Sequence, residues 1–246
     1  MLELPLESMI LLALICLFAG IVRGFSGFAL SAVVMASASL MIPPVELIPI
    51  CWWLETAASV LMLRSGWQQA DRKVAITLAM MSALGVPIGI TLTTKLEAAS
   101  SQIVVLAIIS VLALSQLFKL KIAFLSTSPG LYLSGFTAGI VTGLAHVGGM
   151  VVALYTLSTN AAANKIRASL VLFLFIGTAT SMVTFIWAGV MDSVAVQRGI
   201  VFAVPTMIGV WLGTQLFRPR FAPYYRPLCL LLLIVIAVVG ITRKII

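Results

Sequence analysis

The sequence predicts an all-α polytopic membrane protein of two inverted repeats, each a glycine-broken, re-entrant hairpin followed by three transmembrane helices. Two observations predict it. The composition is 62% hydrophobic with only 9% charged residues, against about a quarter charged in a soluble domain, and mean hydropathy is +1.20. A six-residue pattern also occurs twice inside apolar stretches: Ala-Gly-Ile-Val-Arg-Gly at 19–24 and Ala-Gly-Ile-Val-Thr-Gly at 138–143.

The 246 residues read as one membrane domain, with repeat 1 over about 8–118 and repeat 2 over about 129–243. Apolar segments fall at 8–22, 25–42, 47–63, 74–93, 101–118, 129–146, 148–159, 166–189, 195–217 and 227–243. A hydrocarbon core is about 30 Å thick, and a helix over 8–22 reaches only about 22 Å. Segment 148–159 is shorter still. Each short segment adjoins a glycine-rich break, so each is read as one arm of a broken hairpin.

Two further matches keep the order of the repeat. Glu55-Thr-Ala-Ala-Ser59 aligns with Gly177-Thr-Ala-Thr-Ser181, and Gly85-Val-Pro-Ile-Gly89 with Gly209-Val-Trp-Leu-Gly213. The offset drifts from 119 to 122 to 124, as small loop insertions produce.

Orientation follows from the loop cations. Hairpins that return to the side they left put Arg64, Arg72, Lys73, Lys119, Lys121, Lys165, Arg167, Arg218, Arg220 and Arg226 on one side. Lys95, Arg198, Arg243 and Lys244 lie opposite, and Arg23 sits at a hairpin tip. The ten-to-four split is expected to place both termini outside. The net charge of +8 is thus assigned to orientation and lipid headgroups, with no nucleic-acid partner. Glu3 and Glu7, with no nearby Lys or Arg, do not read as the start of a cleaved signal.

Enzyme templates fail. One histidine, aspartates only at 71 and 192, and no Gly-Lys-Ser or Gly-Lys-Thr exclude a His-Glu-x-x-His site and a P-loop. No cofactor and no metal is expected. Cys16, Cys51 and Cys229 lie far apart in apolar runs and read as small buried residues.

Polar groups at membrane depth carry what chemistry remains. Helix breaks there leave backbone groups that need polar partners, and half-helices starting at such breaks point positive dipole ends inward. Arg23, Gly24, Ser26 and Gly27 in the first half, with His146, Gly148 and Gly149 in the second, form the candidate anion-binding set. Arg23 is open to two roles: a fork of donors for an anion, or a charge pinned to carbonyls or snorkelling to an interface. His146 is a proton relay or anion ligand, or a neutral ring bonded to a carbonyl. The glycines either admit a ligand or let helices pack tightly. Glu55 carries a coupling proton, pairs with Arg23, or does both in turn. Thr56, Ser59, Thr178 and Ser181 are candidates for lining the cavity, or bond to their own backbone.

These doubled motifs resemble the TauE/SafE family of sulfite and organosulfonate exporters, over about residues 8–243. The glycine runs, Gly24-Phe-Ser-Gly27 and His146-Val-Gly-Gly149, are less full than the family's. The resemblance implies outward transport of a small sulfur-containing or carboxylated anion. The expected function is a secondary transporter working by alternating access, with the lipid bilayer and a small anion as partners. An anion channel and a non-transporting accessory membrane protein are the alternatives.

Overall fold

A computed structural model describes residues 5–120, 122–159, 162–216 and 222–245, and the backbone alone at 65, 163, 222–226, 228, 229 and 243–245. Glu3, Lys121, Arg218 and Arg220 lie outside the described residues, as do the side chains of Arg226, Cys229, Arg243 and Lys244. Ten α-helices are described: α1 (Leu6–Ser26), α2 (Leu30–Ala38), α3 (Pro44–Gln69), α4 (Arg72–Lys95), α5 (Ala98–Leu117), α6 (Ser128–Ala145), α7 (Gly148–Ser158), α8 (Ala163–Trp187), α9 (Ser193–Leu216) and α10 (Ala222–Ile245). A 3-10 turn over Ala123–Ser126 precedes α6. No strand occurs among the described residues.

Local chemistry sets the boundaries. Asp71 caps α4 by accepting from the Val74 amide at 3.3 Å, and Thr127 caps α6 through the Gly130 amide at 3.2 Å. Helix α3 starts at Pro44, where a missing N–H costs nothing. Helix α1 ends at Gly27, whose φ of +81° suits glycine best. Helix α6 ends at His146, also left-handed with φ +53°.

Among the described residues, six helical stretches are long and apolar enough to cross a membrane: Leu6–Ser26, Pro44–Arg64, Arg72–Lys95, Ala98–Leu117, Asn164–Trp187 and Ser193–Leu216. This corrects one expectation. The first segment is not a short arm ending at residue 22, because α1 continues through Arg23 and Gly24 and, with 21 residues, reaches about 31 Å. Gly24 does not break it: Gly24 lies inside the helix and packs on the backbone of Val210 and Gly213. The chain turns instead at 27–29, where Gly27 and Ala29 have positive φ. The short arms are α2, of nine residues, and α7, of eleven.

Glycines bring the two halves together. A Cβ on Gly85 would collide with the Phe136 carbonyl, and one on Gly89 with that of Ile140. Equivalent collisions occur at Gly209 with Leu17 and at Gly213 with Ile21. Residue numbers rise together in both cases, so α4 runs parallel to α6, and α9 to α1. Helices α3 and α8 run antiparallel: Trp52 donates to the Thr178 carbonyl at 2.8 Å, whereas Gly66 meets Ala168 and Val171. Helix α5 packs on α10. Two buried glutamines of α5 grip the short arms, Gln102 donating to the Ser39 carbonyl at 2.6 Å and Gln116 to that of Met150 at 3.2 Å.

Candidate functional site

Around the first break the chain gathers four polar side chains from three helices. Arg23, in the last turn of α1, is completely buried. Its Nε lies 3.2 Å from Glu55 Oε2, its Nη2 donates to Ser59 Oγ at 3.0 Å, and its Nη1 donates to the Gly27 carbonyl. Glu55, in the middle of α3, is 3% exposed. Its Oε1 accepts from Ser31 Oγ at 3.0 Å and from the Ser31 amide at 3.4 Å. Ser31 stands in the first turn of α2, whose free N–H groups and dipole favour negative charge. The carboxylate is therefore shared between an arginine and a helix N-terminus.

The structure brings Arg23, Glu55 and Ser59 together, pairing Arg23 with Glu55 as in one of the readings left open, and adds Ser31. Ser31 is one serine in an apolar run, and only the turn at 27–29 aims it at Glu55. Arg167 is a second addition. It appears in sequence as a loop cation, yet it sits in the second turn of α8 and donates to the Gly24 carbonyl. Its backbone also flanks Gly27. Two arginines thus bond to carbonyls near the C-terminal end of α1, where cations are favourable.

The other expected residues are placed differently. The Ser26 hydroxyl is turned onto its own loop, donating to the Phe28 carbonyl at 2.5 Å and accepting from the Phe28 amide at 3.2 Å. Gly148 faces Thr142 and the Ala138 carbonyl, and Gly149 faces Leu174. Thr56, Thr178 and Ser181 each donate to a carbonyl of their own helix, at 2.8, 2.8 and 3.3 Å. His146 is not brought to Arg23. Its ring packs on Phe185, centroids 5.8 Å apart, whereas the first hairpin's tip lies against Arg167. Those two positions are eighteen residues apart on α8, about 27 Å along the axis. The tips of the two hairpins therefore do not meet.

Two cavities lie away from this cluster. One of about 350 Å³ is lined by Glu46, Asp192 and Arg198, with Arg198 paired to Glu46 at 3.0 Å. The other, of about 470 Å³, is almost wholly apolar and lies between α5, α6 and α7. Among the described residues no group of three or more His, Cys, Asp or Glu could hold a metal ion.

On the opposite face from Glu46, Lys165 pairs with Asp71 at 2.9 Å. The hydrogen bond from Lys165 holds the Asp71 carboxyl below the usual carboxylate range.

A family model described as sulfite exporter TauE/SafE matches residues 12–240. No curated protein and no solved structure matches the chain.

Proposed function

The chain belongs to the sulfite exporter TauE/SafE family, and from that premise we propose that it exports sulfite or an organosulfonate across a bacterial cytoplasmic membrane by alternating access. That it is an integral membrane protein of a transporter family follows from the match and the apolar helices. The observation that carries the finer reading is the seat on the first hairpin: a fully buried Arg23 holding the Glu55 carboxylate against the start of α2. A charge at membrane depth is costly and usually functional. Arg23, Ser31 and Ser59 offer donors suited to sulfonate or sulfite oxygens.

The proposed architecture is two inverted repeats, α1–α5 and α6–α10. Exchanging the halves turns the α1–α9 contact into α6–α4, and α3–α9 into α8–α4, while α3–α8 and α5–α10 map onto themselves. The helix directions support it too, since equivalent helices α3 and α8 run opposite ways. Both halves break at equivalent places, as in transporters that rock one unit against another.

Arg23 has no exposure, which suits an occluded transporter conformation and a sealed accessory protein alike. Flux separates them. In vesicles loaded with sulfite or a sulfonate, the wild type empties and Arg23→Ala does not. Retention of every anion by well-folded wild type means the accessory reading is correct. Conductance with no coupled gradient favours the channel.

A further inference from the structure

Glu55 stands where an anion would bind. One carboxylate oxygen takes the hydroxyl and amide of Ser31, and the other faces Arg23 Nε. A helix N-terminus opposed by an arginine is a general way to hold a free oxyanion. Here the occupant is tethered to α3. Resting on the transporter reading above, we propose that Glu55 is a built-in stand-in for the substrate. A singly charged oxyanion takes the seat on Arg23 and Ser31 as Glu55 leaves it protonated, so one proton travels with each anion in the same direction.

The charges balance at every stage. With Glu55 seated, one guanidinium faces one carboxylate. With substrate seated, the same guanidinium faces one external anion, and Glu55 is a neutral acid. The proton comes from the aqueous side that supplies the anion. It returns to water on the other side, when the carboxylate regains its seat. Two anions crowded onto the Arg23 and Ser31 donors would repel one another at membrane depth, which is strongly unfavourable.

Among the described residues, the surroundings supply no other carboxylate for this exchange. Helix α1 contributes Arg23 and the thiol of Cys16, and α3 adds Cys51 one turn before Glu55. The nine residues of α2 and the twenty of α5 include no charged side chain, and neither do the described side chains of α10. Helix α8 brings Arg167 to Gly24. On α9, Arg198 is engaged with Glu46.

The test uses purified full-length protein in vesicles holding methanesulfonate and a trapped pH dye, with the voltage clamped by potassium and valinomycin. Methanesulfonate stays ionised, so it cannot carry a proton across lipid by itself. Outward flux that alkalinises the interior by one proton per anion, and does not respond to voltage, is the expected result. In Glu55→Gln, anion-for-anion exchange persists while proton movement and net efflux are lost, because the empty seat would leave Arg23 unpaired. Should that variant fail to fold, the wild-type proton count decides alone. Methanesulfonate flux without protons, or with protons moving the opposite way, overturns the stand-in role and leaves the transporter reading intact. No flux of methanesulfonate or sulfite at any pH overturns both.

Discussion

Arg23 and Glu55 sit at membrane depth only because each neutralises the other, so removing one is worse than removing both. Arg23→Ala leaves a buried carboxylate with Ser31 alone, and breaking such a pair costs about 3–5 kcal/mol. Arg23→Ala/Glu55→Gln removes both charges and recovers most of that loss. Thermal unfolding in detergent checks the difference; equal midpoints for the single and double variants would show the pair to be uncoupled. Ser31→Ala removes one hydrogen bond to a charged group, an effect of about 1.5–3 kcal/mol, and is read the same way. Arg23 and Glu55 were legible in the sequence because a charge inside an apolar run is conspicuous. Ser31 was not, since a serine in a membrane helix usually bonds to its own backbone and its target depends on the turn at 27–29. Arg167 was misleading for the opposite reason: beside Lys165 it looks like an orientation signal, yet it reaches back to Gly24.

Among the helices, the glycines serve a purpose that their number along the chain conceals. The doubled Ala-Gly-Ile-Val-x-Gly motif meets the Gly-x-x-x-Gly of the other half, α1 on α9 and α6 on α4, with backbones too close for a side chain. Gly89→Val and Gly213→Val therefore act alike. Each forces apart a pair of parallel helices at a close glycine contact, with overpacking of about 1–3 kcal/mol. Matching drops in unfolding temperature check this, and a loss confined to one variant would contradict it. The existence of a break in each half was readable from glycine clustering. Its position in the first half was not, because Gly24 has the composition of a breaker and the packing of a helix interior. The second break, at His146–Val147, fell where the chain had suggested.

Across the whole molecule, ion pairs join the halves at opposite faces: Asp71 with Lys165 at one, Glu46 with Arg198 at the other. The Asp71 carboxyl is held low by Lys165. Its contribution to stability is complete above the ordinary carboxylate value of about 3.9 and is lost as pH falls through the lower folded value. Between about pH 5 and 8 that pair is constant. Asp71→Asn accordingly changes stability by about 1 kcal/mol at most, as exposed pairs do, and leaves the pH profile of transport over that interval unchanged. An altered profile would place Asp71 in the coupling. The membrane class was legible from hydropathy, as the six long apolar helices among the described residues bear out. The separation of the two hairpin tips was not, since it depends on where along α8 each tip packs. The most direct test of the buried seat is efflux of sulfite and methanesulfonate from vesicles, comparing wild type with Arg23→Ala/Glu55→Gln, which has no unpaired buried charge. The seat predicts release by the wild type and none by the folded double variant. Equal efflux from both would show that the anion crosses elsewhere.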